Sequence, residues 1–273
     1  MKLLIAADME GISGVVSWNQ VDPKHPEYAR FRKIMTGDVN AAVEGAFRGG
    51  AEEIIVADGH GGGYNILLEA LDPRARLNAG NAAPLVMVQG ISSGIDAALF
   101  IGYHGRAGHP LAVLNHTWDT HLLNVWLNEV LVGETGINAL VCGAFGAPVL
   151  LVSGDQGLAE EATALISGIE TVIVKRATSY FSAECLPPQE AQERIRHGVE
   201  KAVRAFKEGK GPQPFKLSTP VTVTIEFSSA AHADGAMRLP GASRLDGRKV
   251  SASAADAMAA YHIFRTLVQL SSQ

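Results

Sequence analysis

The sequence predicts an α/β fold built on a mostly parallel central sheet flanked by helices, with a smaller C-terminal α+β subdomain. Three observations carry this. Short unbroken apolar runs recur at Leu3-Leu4-Ile5-Ala6-Ala7, Ile54-Ile55-Val56-Ala57 and Ala97-Ala98-Leu99-Phe100-Ile101, the pattern of strands buried on both faces. Stretches with helical spacing alternate with them. The runs end in acids and histidines, at the edge where open parallel sheets keep their ligands.

The elements follow in order. Residues 27–48 place Tyr28, Phe31, Met35, Val39, Val43 and Phe47 on one helical face, and Gly49-Gly50 stops that helix. The second strand runs into Asp58-Gly59-His60 and the third into Gly102-Tyr103-His104. His121 to Glu129 alternates like an antiparallel or edge strand. Thr135 to Phe145 reads as a helix of small residues, and Val149-Leu150-Leu151-Val152 as a strand ending at Asp155. A helix (157–166), a strand (171–175) and a long charged helix (189–208) come next, then a linker, Gly209-Lys210-Gly211-Pro212-Gln213-Pro214. Beyond it Val221 to Phe227 alternates strictly and Ala254 to Leu270 forms a terminal helix. The division this suggests is a catalytic α/β domain over 1–210 and a subdomain over 211–273, packed on it and available for oligomer contacts.

A chain of 273 residues is long enough for a sizeable core. With 47% hydrophobic and 19% charged residues it is neither disordered nor collagen-like. Lys+Arg 23 against Asp+Glu 28 leaves a net charge of −5, spread along the chain. No basic stripe offers itself to nucleic acid or to an anionic membrane. The apolar stretch Ala139 to Val152 is broken by Gly143, Gly146 and Pro148 and falls short of the ~20 residues that span a bilayer. Cys142 and Cys185 have no CxxC spacing, so a cytoplasmic, reducing setting is expected.

The chemistry-bearing residues stand at strand ends. Asp8 and Glu10 follow the first strand, Asp58 and His60 the second, His104 the third, and Glu134 opens a helix. Two imidazoles with three or four carboxylates at one edge are a ligand inventory for zinc or a similar ion. Each residue has a plainer reading. Asp8 and Glu10, spaced to point the same way on a strand, could be solvated loop acids. His60 could be a loop histidine in a glycine-rich turn, and His104 a polar strand-end residue. Glu134 could be a first-turn acid favoured by the helix dipole. His109, His116 and His121 crowd the same region, and composition does not choose among them. Asp58 is a candidate acceptor for fixing a histidine ring.

Together, Asp8-Met9-Glu10-Gly11-Ile12-Ser13-Gly14, the Asp58-Gly59-His60 turn, Gly102-Tyr103-His104 and Gly133-Glu134-Thr135-Gly136-Ile137-Asn138-Ala139 resemble the bacterial zinc-dependent D-aminopeptidase family, the DppA-type peptidases, in order and spacing. The resemblance runs from residue 1 to near the C-terminus, with Ala6 where the family usually has serine. It implies two zinc ions per subunit, held by Asp8 as the bridging ligand with Glu10, His60, His104 and Glu134, and a catalytic residue at His116. It also implies short peptide substrates and a homo-oligomer, a ten-subunit ring. The same N/O donors accept cobalt or manganese.

The expected reaction is hydrolysis of the amide bond after a free, D-configured amino-terminal residue by a water activated between two metals, with His116 in general acid/base or oxyanion duty. Two rivals use the same residues. A bimetallic phosphoesterase would want cationic clamps, and Arg106 is the one basic residue near the marked strand ends. A non-catalytic metal-binding protein of this fold is the other.

Overall fold

The structure is a computed structural model and describes residues 1–272. The chain runs β1 (Lys2–Ala7), α1 (Tyr28–Gly49), β2 (Glu53–Asp58), β3 (Ala75–Asn78) and β4 (Ala97–Ile101). β5 (Leu122–Leu127), β6 (Val130–Val132), α2 (Glu134–Ala144), β7 (Val149–Asp155) and α3 (Gln156–Leu165) follow. Next come β8 (Glu170–Ser179), β9 (Ser182–Cys185) and α4 (Pro188–Lys207). The chain closes with β10 (Val221–Phe227), α5 (Ala230–Ala236), β11 (Ser243–Arg244), β12 (Lys249–Ala254) and α6 (Ala257–Ser271).

The α/β class is as predicted. Seven strands form the main sheet in the order β3-β2-β1-β4-β7-β8-β9, parallel except where β9 returns antiparallel on β8. Strand order reverses between β1 and β4, and such a switch point opens a crevice at the strands' carboxyl ends. Leu3, Ile5 and Ala7 of β1 pack with Phe31, Met35 and Val39 of α1 and Ile195 and Val199 of α4. Leu4 and Ala6 face the other side, where α2, α3 and the second sheet contribute Ile137, Leu158 and Ile225. The period of two along one strand thus builds two cores.

The second sheet is antiparallel, in the order β11-β12-β10-β5-β6. It draws two strands from before the linker and three from after it, so it is shared across residue 210. The single strand predicted over 121–129 is a hairpin arm: Leu127 pairs with Val130 across a turn in which Asn128 takes φ 55°, a conformation Asn tolerates well. β10 alternates buried and half-buried residues as expected.

Candidate metal centre

All six predicted site residues meet at the carboxyl end of the main sheet. Asp8 and Glu10 lie just past β1, His60 past β2, His104 past β4, and Glu134 at the start of α2. His116 comes from the loop between β4 and β5. Asp8 lies between two groups of donors. Its Oδ1 is 3.4 Å from His60 Nδ1, which is 2.9 Å from Glu10 Oε2. Its Oδ2 is 3.5 Å from His104 Nε2, which is 3.6 Å from Glu134 Oε1, as is His116 Nε2.

Each imidazole spends one nitrogen on the backbone and aims the other at the carboxylates. His60 Nε2 donates to Val21 O (3.0 Å), His104 Nδ1 to Gly105 O (3.0 Å) and His116 Nδ1 to Leu114 O (2.9 Å). That arrangement orients each ring and leaves the inward nitrogen to present a lone pair to a metal once its proton is displaced, as metal-binding histidines require. His104 Nε2 and Asp8 Oδ2 are buried without a hydrogen-bond partner, which is costly unless a ligand completes them. One donor atom each from Asp8, Glu10 and His104, and from His104, His116 and Glu134, falls within 4.8 Å of the others in its group. Carboxylates and imidazoles in these groupings fit a borderline divalent cation.

The electrostatics agree. Burial and the neighbouring Glu10 charge push the Asp8 carboxyl up to about 7. Burial opposes ionisation of Glu10 and Glu134 as well, but His60 holds Glu10 well below the usual range and His104 holds Glu134 low. Burial disfavours the cations of His60 and His104, yet the surrounding carboxylates raise both, His104 to about 10. Of the three clustered imidazoles His116 alone moves down, through burial and the adjacent His104. The cluster therefore draws in positive charge.

The support around these donors was largely missed in the sequence. β1 stops at Ala7, so strand alternation does not aim Asp8 and Glu10. The buried Lys175 of β8 does: its ammonium donates to the carbonyls of Glu10, Ile12 (3.2 Å) and Val15 (2.6 Å) and clamps the loop. Gly11 is required by close approach, since a Cβ there would lie 1.7 Å from Tyr103 O. Gly102 takes φ +74° with Asp8 O beside it. Glu161 of α3 accepts from Arg106 N and Gly133 N, both at 2.8 Å, and ties the His104 loop to the turn before Glu134. Trp118, strained at φ 68°, donates its backbone N–H to Glu134 Oε1 at 2.6 Å. Asp58 does not fix a histidine ring. Its carboxylate accepts from the backbone N–H groups of Asn65 and Ile66 and from the Asn65 amide, which shapes the glycine-rich loop.

The other histidines stand apart from the donors. His109 faces Glu160 at 3.7 Å, and His121 bonds Asp119 and Ser271. Arg106 does not line the cavity of 230 Å³ over the acids; Arg265 of α6 does, with Asn81, Met87 and Trp118. Nothing in the sequence placed that C-terminal arginine at the site.

Comparison with known proteins gives a consistent picture. The family model described as D-aminopeptidase matches residues 1–266. A D-aminopeptidase of Bacillus subtilis (strain 168) is 35% identical over 271 residues, covering 99% of this chain and 97% of the relative. A solved structure, described as the Zn-dependent D-aminopeptidase DppA from Bacillus subtilis, a self-compartmentalizing protease, superposes with a TM-score of 0.96 at 33% identity, covering 100% of this chain and 98% of that one. A match along nearly the whole chain, converging on the edge where acids and imidazoles gather, means that this chain belongs to the D-aminopeptidase family of hydrolases.

Proposed function

We propose that the protein is a two-metal aminopeptidase that removes a D-configured amino-terminal residue from short peptides. Asp8, Glu10, His60, His104 and Glu134 would hold the ions, and zinc is the first candidate because the DppA structure is described as Zn-dependent. The observation that carries the two-ion reading is the position of Asp8, with one oxygen toward Glu10 and His60 and the other toward His104 and Glu134. The D preference rests on the family.

When bound, such ions polarise an amide carbonyl and acidify a water. The protein's own groups do the rest. His116 carries its proton on Nδ1, toward Leu114 O, so Nε2 is first an acceptor. It can take a proton as the attack begins and hand it to the departing amine. His104, stacked on His116 at 4.3 Å between centroids, and Trp18, edge-on at 5.3 Å, hold that ring in place.

The self-compartmentalizing relative supports a homo-oligomer here as well, a decameric ring being the form the resemblance implies. Both cysteines are free, in keeping with a cytoplasmic setting. One set of measurements tests this reading: the mass in solution, elemental analysis of the purified protein, and turnover of paired D- and L-amino-terminal dipeptides. Two ions per subunit and faster turnover of the D peptides are expected. One ion per subunit removes the bridging role of Asp8, and faster L turnover removes the stereochemical assignment. Cobalt or manganese in place of zinc would change the ion alone, since the donor set accepts all three.

A further inference from the structure

Arg265 is the one lysine or arginine lining the cavity over the metal-binding residues. It reaches there from α6, near the C-terminus. Its guanidinium lies 4.8 Å from the centroid of the Trp118 ring and 6.0 Å from that of Tyr261, and Nη1 donates to the Tyr261 hydroxyl at 3.2 Å. Among the described residues that is its one side-chain hydrogen bond, and no carboxylate pairs with it. A half-buried, permanently charged fork thus faces a cavity that also holds Asp8, Glu10 and Glu134, yet bonds to none of them. Trp118 and Tyr261 hold the guanidinium plane and leave most of its five N–H donors unused.

We propose that Arg265 binds the free C-terminal carboxylate of the substrate and so favours peptides with an unblocked C-terminus. This rests on the aminopeptidase reading above. An unpaired guanidinium on the wall of the cavity that holds the metal-binding residues matches a carboxylate with two parallel hydrogen bonds.

The test compares D-alanyl-D-alanine with D-alanyl-D-alanine amide in the wild-type holoenzyme and in Arg265→Gln and Arg265→Lys. In each protein the quantity read is the ratio of kcat/KM for acid over amide, from which any inactive fraction cancels. Wild type should favour the acid on the order of 10- to 100-fold, the worth of a charged hydrogen-bonded pair. The change should lie mainly in KM. In Arg265→Gln the ratio should fall toward one, and Arg265→Lys should restore part of it. A wild type indifferent to the terminus, or an Arg265→Gln variant that loses both substrates equally and keeps the ratio, overturns the assignment and leaves Arg265 as packing for Trp118. Wild type that cleaves neither peptide overturns the aminopeptidase reading itself, a distinct result.

Discussion

His116 and His104 have parallel stacked rings, an interplanar angle of 11°, yet opposite electrostatics. The carboxylates around His104 raise its pKa to about 10, while burial and the His104 charge lower that of His116. His116 is therefore the imidazole best suited to exchange a proton near neutral pH. Replacing His116 by Ala should lower kcat by about 10²–10⁴-fold and leave the metal content per subunit as in wild type. Loss of an ion in that variant would make His116 a ligand, a role its inward Nε2, grouped with His104 and Glu134, can also serve. At this scale the sequence was informative about residue identity. Acids and histidines at strand ends could be picked out because few other residues there carry chemistry. Which nitrogen points inward could not, since each tautomer is set by a carbonyl elsewhere in the fold: Val21 for His60, Leu114 for His116.

Among elements, β8 governs the loop that carries Glu10. The sequence predicts that strand over 171–175, which makes Lys175 its last residue. β8 in fact continues to Ser179, so Lys175 lies inside it and is buried. Burial brings its pKa down to about 8 against the pull of Asp155, Cys185 and Glu10. Lys175→Met keeps the length of the stem but leaves the carbonyls of Glu10, Ile12 and Val15 without their donor. With each unsatisfied buried acceptor costing about 1–3 kcal/mol, a total near 3 kcal/mol is expected. By thermal melt that is a fall of roughly 6–12 °C in Tm. Zinc affinity, measured by competition with a chelator, should weaken by about 10–100-fold, as when other outer supports of metal sites are removed. An unchanged melt and affinity would show that the loop holds its shape without the clamp. The predicted helices matched closely, α1 starting one residue from expectation and α4 likewise. The short strands β3, β9 and β11 escaped because two to four residues show no periodicity.

For the whole molecule, stability should depend on pH through Asp38 of α1. Asp38 on α1 is 1% exposed and both its carboxylate oxygens lack a partner. Burial pushes its pKa up to about 7, with Gln192 and Lys175 only lessening the shift. A carboxyl raised above its unfolded value of 3.8 is protonated in both states at lower pH and costs nothing there. As pH rises from there toward 7 the unfolded chain ionises while the folded one keeps its proton, so stability falls, by on the order of a few kcal/mol in all, and levels off once the folded carboxyl ionises too. Asp38→Asn should therefore melt higher than wild type at pH 8, with the difference closing toward pH 4. Equal melting curves at pH 8 would mean that the carboxylate is solvated. At this scale the α/β class was readable from the apolar runs, but the pairing of β5 and β6 with β10 was not. Strands drawn from residues 122–132 and 221–227 come together only because the intervening layers bring them there, and no local pattern records so distant a pairing.

The centre lies on a seam. Asp8, Glu10, His60 and His104 hang from the parallel sheet, whereas Glu134 follows β6 and Arg265 belongs to a helix packed on β10 and β12. An occupant gripped from both sides acts as a rivet between the two layers. Cohesion of the subunit and readiness for chemistry are then set at the same joint, and a slip of one layer over the other would loosen both at once.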